Sequence, residues 1–379
     1  MPLVRPVRRR ARAVKVGPVT VGGDAPVAVQ SMANTDTRDV EATLAQVRAL
    51  AAAGCEIVRL AVPDAEAARA LGPIRAASPV PLVADIHFDH RLALAALEAG
   101  VDGLRINPGN IGPRWKVEEV VRAARERAVP IRIGVNAGSL ERDLLRRHGG
   151  PTSRALVESA LGHIRILEDL GYREIKVSLK GSRVPETVEA YRLLADQCDY
   201  PFHVGITEAG TPFRGAVKSA VGLGILFWLG LGDTVRVSLT GDPVDEVRVA
   251  YWILGALGLR RRGVDLVSCP TCGRTRVDLV AVATEVERRL AHVEAGLTVA
   301  VMGCEVNGPG EAREADVGIA CGRGSGLLFR RGEVVRRVAE GEIVDALVEA
   351  VEALVREGAA TGRPRTPDEA GRGEPVPRG

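Results

Sequence analysis

Short apolar runs recur along the first two thirds of the chain at fairly even intervals. Each run has the length and β-branched content of a buried strand, and turn-forming or polar residues bound it. The eight runs span residues 27–32, 57–62, 80–86, 103–107, 130–135, 174–179, 202–206 and 234–239.

Between these runs the apolar spacing changes to that of a helix. Val40, Leu44, Val47 and Leu50 recur at intervals of four and three, and Gly54 follows as a helix stop. Eight alternations of strand and helix predict an α/β fold, a (β/α)8 TIM-type barrel over residues 25–260. A doubly wound open sheet is the alternative, although no G-x-G-x-x-G string follows the first strand. The other helical stretches span residues 64–71, which end at a glycine, 91–98, 117–127, 154–170, 185–197, 213–229 and 243–257.

The pattern differs on both sides of this barrel. The sequence predicts that residues 1–24 form a basic, solvated tail that leads into a hairpin at residues 14–21. Residues 264–357 predict a small α+β domain, and residues 358–379, rich in Gly, Pro and charge, predict a disordered tail. Within the second domain we expect strands at 264–268, 297–302, 315–320 and 326–329, and helices at 276–290 and 343–356.

Polar side chains mark the carboxyl ends of the predicted barrel strands, where Val, Ile and Leu would normally fill the interior. One Arg there could form an ion pair at the rim, but cations on five strands call for an anion, because buried unpaired cations are costly. Arg and Lys side chains match phosphate oxygens. We therefore predict a barrel mouth that binds a diphosphate. These strand-end residues are Gln30, Ser31, Arg59, Asp85, His87, Arg105, Asn107, Arg132, Asn136, Lys176, Ser178, Lys180, Arg236 and Ser238.

Two cysteine-bearing loops in the second domain predict a metal centre. Cys269 and Cys272 form a C-x2-C pair, and Cys304 lies on a Gly/Pro-rich loop seven residues before Glu311. Thiolates at such spacings bind zinc or an iron–sulfur cluster. The alternative to a cluster is a closed structural zinc site, in which Cys321 would be the fourth ligand beside Cys269, Cys272 and Cys304.

These motifs resemble those of the 4-hydroxy-3-methylbut-2-enyl diphosphate synthase family, and the resemblance covers residues 25–345 in order. In the second domain it is carried by CPTCGR (269–274) and GCEVNGPGE (303–311). In the barrel it is carried by QSMANTDT (30–37, with Ala33 where Thr is usual), DIHF (85–88), RINPGNIG (105–112), RIGVNAGSLE (132–141), KVSLK (176–180), GITEAG (205–210) and RVSLT (236–240).

The resemblance implies the cofactor and the site residues. Cys269, Cys272, Cys304 and Glu311 would hold a [4Fe-4S] cluster in a domain similar to that of sulfite reductase. Glu311, a more easily displaced ligand than a thiolate, and Glu208, at the reacting hydroxyl, would be catalytic. Substrate-binding residues would be Arg59, Asp85, His87, Arg105, Arg132, Asn136, Lys180, Arg236 and Ser238.

The implied reaction is a two-electron reductive ring opening and dehydration of 2-C-methyl-D-erythritol 2,4-cyclodiphosphate to 4-hydroxy-3-methylbut-2-enyl diphosphate, in non-mevalonate isoprenoid biosynthesis. No flavin or nicotinamide motif is evident, so ferredoxin or flavodoxin would supply the electrons. A short linker near residues 258–263 joins the last barrel helix, which ends at the bottom of the barrel, to the second domain. A linker of this length cannot easily bring that domain to the mouth of the same barrel. We therefore expect a homodimer in which each cluster domain caps the partner's barrel, as the family does.

Composition narrows the function classes. A net charge of +3 and 3% aromatic residues argue against nucleic acid as a partner, and six cysteines in 379 residues do not make a disulfide scaffold. The most apolar run, 220–231, is too short to span a membrane, and no apolar signal segment follows the Arg-rich start, so we expect a cytoplasmic protein. Two rivals stay open: a non-redox phosphate-ester lyase with a zinc appendage, and a binding module without catalysis.

Overall fold

The computed structural model describes residues 6–361 of the chain. This part of the chain forms two compact units, residues 6–260 and 261–361. Within it, no helix combines the length and the apolar character that crossing a membrane requires.

The first unit is a parallel barrel preceded by a hairpin. The hairpin pairs β1 (Val14–Val16) with β2 (Val19–Val21) in antiparallel register. Eight strands then follow one another around the barrel in chain order, and a parallel bridge between Val177 and Phe202 closes the ring between the sixth and seventh of them. The predicted (β/α)8 fold is therefore confirmed. The strands are β3 (Ala28–Met32), β4 (Ile57–Ala61), β5 (Leu82–Asp85), β6 (Gly103–Ile106), β7 (Ile131–Asn136), β8 (Ile175–Lys180), β9 (His203–Val204) and β10 (Thr234–Val235).

Helices connect the barrel strands, and acidic caps start several of them. The carboxylates of Asp39, Asp64 and Asp89 each accept a hydrogen bond from a first-turn backbone N–H, which satisfies a donor that the helix leaves free. The helices are α1 (Val40–Ala52), α2 (Ala65–Ala77), α3 (His90–Glu98), α4 (Pro108–Ile111), α5 (Arg114–Glu126), α6 (Arg142–His148), α7 (Ser153–Asp169), α8 (Val184–Ala195), α9 (Pro212–Trp228) and α10 (Pro243–Ala256).

Helix α2 is longer than its sequence predicts. We expected Gly72 to end it, but the helix continues through Gly72 and Pro73 to Ala77. Leu71 and Ile74 on its inner face are fully buried against the barrel. Tertiary packing thus outweighs the helix-breaking tendency of the Gly-Pro pair.

The basic N-terminal segment is not the solvated tail that its composition predicts. The guanidinium of Arg8 donates to Asp233 at 2.8 Å. The guanidinium of Arg9 donates to the carbonyl oxygen of Cys198 at 2.7 Å and lies 3.9 Å from the ring centroid of Phe202. Burial lowers the pKa of Arg9. These cations therefore fasten the segment to the amino-terminal end of the barrel strands.

The second unit is a five-stranded mixed sheet packed against helices. Its order is β11-β12-β13-β14-β15; the first three strands are parallel and the last two pairings are antiparallel. The strands are β11 (Val264–Ser268), β12 (Leu297–Met302), β13 (Val317–Gly322), β14 (Ser325–Arg330) and β15 (Glu333–Ala339), and the helices are α11 (Leu279–Leu290), α12 (Gly308–Glu314) and α13 (Ile343–Thr361).

Two of these elements, β15 and α12, are absent from the sequence-based assignment. A third difference lies at the end of the unit, where α13 continues past Gly358, the predicted start of the disordered tail, to Thr361. The rest of that predicted tail, and the first five residues of the predicted N-terminal tail, lie outside the described residues.

Candidate functional site

The carboxyl ends of the barrel strands enclose a cavity of about 520 Å³. Parallel strands bring these ends to one rim, so residues distant in sequence meet there. Of the predicted strand-end residues, Gln30, Ser31, Asn107 and Lys176 do not line this cavity. All the barrel residues that the resemblance assigns to the site do line it: Arg59, Asp85, His87, Arg105, Arg132, Asn136, Lys180, Glu208, Arg236 and Ser238.

Strand register aligns the cations of neighbouring strands. Arg105 on β6 is level with Arg132 on β7, and Arg132 is level with Lys176 on β8. Gly134 makes room for this arrangement, because a Cβ built there would lie 2.3 Å from Nε of Arg105. The glycine in the RIGVN string is thus required by the close approach of a guanidinium.

Asp85 is the carboxylate at the centre of this group. It accepts a hydrogen bond from Nη1 of Arg105 at 3.1 Å, and its other oxygen lies 3.6 Å from Nε of Arg59. Burial alone would raise its pKa, but the charge of Arg59, the contact with His87 and the charge of Arg105 outweigh burial and hold the pKa below its ordinary value. Asp85 is therefore ionised at neutral pH.

Arg236 has its own carboxylate partner, which sequence reasoning missed. Glu246 on α10 is buried and accepts from Nε and Nη2 of Arg236, each at 3.2 Å. Its oxygens also accept from the hydroxyl of Ser31 at 2.9 Å and from the backbone N–H of Leu239 at 3.0 Å. The only sequence signal was an acidic residue on the core side of an otherwise apolar helix face.

Among the residues that the structure describes, neither Arg132 nor Lys180 forms an ion pair with a carboxylate. Nη1 of Arg132 donates to the hydroxyl of Ser178 at 3.0 Å, whereas its Nε and Nη2 are buried without a hydrogen-bond partner among residues 6–361. Burial and the charges of nearby Arg residues lower the pKa of both Arg132 and Lys180 well below their ordinary values. The cavity therefore carries uncompensated positive charge, which a multivalent anion would neutralise.

Glu208 lies at the cavity rim in an unusual backbone conformation. Its φ is +53°, in the left-handed region that non-glycine residues seldom adopt, and its side chain is exposed. Such strain costs about 1 kcal/mol or more and is concentrated at functional sites. The loop after β9 therefore holds this carboxylate at the mouth at an energetic cost.

Two of the rim loops are held by a buried histidine that the sequence analysis did not single out. Nε2 of His163 on α7 lies 2.9 Å from Oε1 of Glu141, which also accepts from the hydroxyl of Ser159 at 3.1 Å. The contact with His163 is the main cause that lowers the pKa of Glu141 to about 2. A Cβ at Gly109 would lie 2.8 Å from the His163 ring, so this histidine packs against the loops after both β6 and β7.

In the second unit, three cysteines lie on loops that follow two adjacent parallel strands. Cys269 directly follows β11, and its sulfur accepts from the backbone N–H of Gly303, just after β12, at 3.3 Å. Backbone N–H groups of Asn307 and Val306 lower the pKa of Cys304, and that of Arg274 lowers the pKa of Cys272. These surroundings favour thiolates, the form that binds iron.

Glu311 is not on a loop, as we had expected, but in the first turn of α12, with its side chain exposed. Cys321 is buried in the core on β13, and burial raises its pKa to about 11. Among the described residues, no three His, Cys, Asp or Glu side chains are arranged to hold a single metal ion. The chemistry of the three loop cysteines with Glu311 fits an iron–sulfur cluster, whereas Cys321 is buried in the sheet core with a raised pKa, which disfavours it as a metal ligand.

Comparison with known proteins agrees with both units. Residues 11–251 match the GcpE TIM-barrel domain, and residues 265–353 match the GcpE protein C-terminal domain. A relative from Geobacter sulfurreducens, "4-hydroxy-3-methylbut-2-en-1-yl diphosphate synthase (flavodoxin)", is 69% identical over 93% of this chain and 99% of its own. Proteins of the same name from Maridesulfovibrio salexigens and Symbiobacterium thermophilum are 63% and 60% identical, over 92% and 94% of this chain and 98% and 96% of theirs. The chain therefore belongs to the GcpE family.

Proposed function

We propose that this protein catalyses the reductive ring opening and dehydration of 2-C-methyl-D-erythritol 2,4-cyclodiphosphate to 4-hydroxy-3-methylbut-2-enyl diphosphate. The observation that carries the proposal is the barrel mouth, where cations from five strands converge on one cavity. The relatives' shared name supports the same reaction.

The surroundings of each cavity residue indicate its role in the proposed reaction. Arg132 has donors without a partner among the described residues, and Lys180 lines the same cavity, so both are suited to phosphate oxygens. Arg59 and Arg105 share Asp85, which fixes their direction. Glu208 holds or supplies the proton for the departing oxygen, since it is the exposed carboxylate at the rim. His87, Asn136 and Ser238 complete the polar lining around the rest of the substrate.

Cys269, Cys272 and Cys304 with Glu311 would hold a [4Fe-4S] cluster. Bound there, the cluster supplies electrons one at a time and a Lewis-acidic iron with an exchangeable position. The protein's part is to lower the pKa values of Cys272 and Cys304 through backbone N–H groups, which favours the thiolate, and to present a weaker carboxylate ligand on the exposed face of α12.

Electrons would come from a small carrier, flavodoxin or ferredoxin, in the reducing cytoplasm that an oxygen-sensitive cluster needs. The names of the relatives favour flavodoxin.

The function is tested on protein purified without air. We expect about four irons and four acid-labile sulfides per chain, a brown colour, and turnover of the cyclodiphosphate only when reduced flavodoxin or ferredoxin is supplied. The Cys304→Ala variant should lose both iron and turnover, whereas Cys321→Ala should keep its iron.

A colourless protein with stoichiometric zinc and activity without reductant would instead establish the lyase with a zinc appendage. A protein that binds the cyclodiphosphate but converts it under neither condition would be a binding module.

An exposed apolar stripe on helix α9 supports the homodimer. Phe213, Val217, Val221, Ile225 and Trp228 follow one another at intervals of four, four, four and three residues, which places them on one face, and all five are exposed. An apolar surface of this length is typical of an interface between proteins.

The stripe gives a first prediction for the homodimer. Replacing Val221 and Ile225 together with glutamate should shift the protein from dimer to monomer in sedimentation analysis, because two charges would be desolvated in the interface. Val335→Glu is the control: Val335 is exposed on β15 and should leave the dimer intact. A double variant that sediments like the parent would exclude α9 from the interface.

Mixing two inactive variants tests whether subunits share the active site. Arg105→Ala damages the barrel mouth and Cys304→Ala removes a cluster ligand. If each second domain serves the partner's barrel, mixed dimers contain one intact site, and about a quarter of the parental activity should return at equal amounts after subunit exchange. No recovery, despite mixed dimers detected by native mass spectrometry, would contradict the sharing of sites.

A further inference from the structure

A lysine lies beneath the phosphate-binding cations, and the proposed reaction does not use it. Lys176 occupies β8 on the same face as Ser178 and Lys180, but deeper in the barrel. Its register partner is Arg132, which is level in turn with Arg105. Only 2% of the residue is exposed, and Nζ has no hydrogen-bond partner among the residues that the structure describes.

The groups around Lys176 are cationic or neutral. Arg132 faces it from β7, Lys180 lies above it on β8, and the fully buried His203 lies on β9. Burial, with Arg132, Lys180 and Lys176 adding to it, lowers the pKa of His203 well below its ordinary value, so this imidazole is neutral. Burial and the charge of Arg132 lower the pKa of Lys176 to about 7. The buried carboxylates of the barrel unit, Asp85, Asp233 and Glu246, each pair with an arginine.

We propose that Lys176 is a proton-accepting group beneath the diphosphate site: its amine is neutral in the empty barrel and takes up one proton when a diphosphate fills the mouth. This inference rests on the proposed function, because it needs a diphosphate in the cavity. Lys176 does not contact the substrate; it adjusts the charge of the site through Arg132.

The physical reason is that buried positive charges without a counter-ion repel one another and are poorly solvated. A cation among cations in a medium of low polarity loses its proton, and an anion placed beside those cations reverses the balance. The amine would then be charged in the complex, where it adds to the positive field that holds the phosphates. The unpartnered nitrogens of Lys176 and Arg132 would both face an environment that compensates their charge.

The charge balance of the reaction explains what the proton on Lys176 would contribute. In the cyclic substrate each phosphorus carries one carbon ester and the P–O–P bridge, which leaves one ionised oxygen each, so the substrate carries two negative charges. It takes up two electrons and one proton, one ring C–O bond to phosphate and one C–O bond to a hydroxyl break, a C=C bond forms between the two carbons, and water leaves. The open diphosphate carries three negative charges, and a protonated Lys176 stabilises the additional one.

Proton uptake on binding tests the inference without turnover. The cyclodiphosphate is titrated into the iron-loaded enzyme with no electron donor, by calorimetry in buffers of different ionisation enthalpy. Each phosphorus of the cyclodiphosphate has one strongly acidic oxygen that stays ionised between about pH 5 and 9, so uptake reports on the protein. At about pH 8.5 we expect the Lys176→Met variant to take up roughly one proton fewer than the parent, and at about pH 5.5 the difference should vanish because the amine is then protonated in both states.

Two controls separate this role from a structural one. Lys15→Met, at an exposed position on β1, should match the parent at both pH values. The Lys176→Met variant should melt no lower than the parent, because it loses a buried amine that has no partner.

Equal proton uptake by the parent and Lys176→Met at pH 8.5 would overturn the inference and leave the proposed function standing. Failure of the cyclodiphosphate to bind the parent at all would overturn the proposed function, and this inference with it.

Discussion

Replacing Glu208 with glutamine should lower the turnover number by a factor of about 10² to 10⁴ and leave the affinity for the cyclodiphosphate nearly unchanged. Glutamine keeps the size of the side chain and its backbone preferences but cannot hold or release a proton. The positive φ of residue 208 is equally strained for both residues, so stability should not change.

The measurement separates binding from chemistry. Calorimetry without electron donor gives the affinity, and single-turnover kinetics with reduced flavodoxin gives the rate of the chemical step. Glu189→Gln is the matched control, because Glu189 lies on the exposed face of α8 and pairs only with Arg192 among the described residues. A Glu208→Gln enzyme with the parent's rate would remove Glu208 from the reaction.

The barrel was predictable because its sequence pattern and its packing agree. Each strand is a short apolar run, the helices between the strands show a three-to-four spacing, and several of them start at an acidic cap, as Asp39 and Asp64 provide. The site was predictable for a related reason. Parallel strands end on one rim, so inward-facing polar residues such as Arg59 and Arg236 gather there although 177 positions separate them in the sequence.

Other features depend on contacts that a local pattern does not contain. Glu246 has the sequence surroundings of any helical glutamate, and only the fold shows that it neutralises Arg236. Arg8 and Arg9 belong to a run of charge that usually stays solvated, but carbonyl oxygens and Phe202 at the barrel's end provide partners for them. Helix α12 begins within a Gly-Pro-Gly string, which local preference assigns to a loop.

Arg132 and Arg236 should respond to substitution with opposite changes in stability, although both line the same cavity. Arg132→Met removes a buried cation that has no carboxylate partner, so the free energy of unfolding should rise by roughly 1 kcal/mol or more. Ser178 keeps a partner in that variant, since its hydroxyl also donates to the carbonyl oxygen of Ile133. Arg236→Met leaves Glu246 buried and unneutralised, which should cost about 3–5 kcal/mol.

Function should change in one direction for both variants. The two free donors of Arg132 are suited to phosphate oxygens, and a hydrogen bond to a charged group contributes about 1.5–3 kcal/mol, so the loss of Arg132 should weaken cyclodiphosphate binding at least about 100-fold. Denaturant unfolding and binding calorimetry on the same preparations measure both effects.

If Arg132→Met is destabilised as much as Arg236→Met, then Arg132 is compensated within the empty protein. The conclusion that the empty mouth carries excess positive charge would then be wrong. A more stable variant that no longer binds the diphosphate would show that the mouth keeps Arg132 without a carboxylate partner, at a cost in stability, because the anion needs its charge.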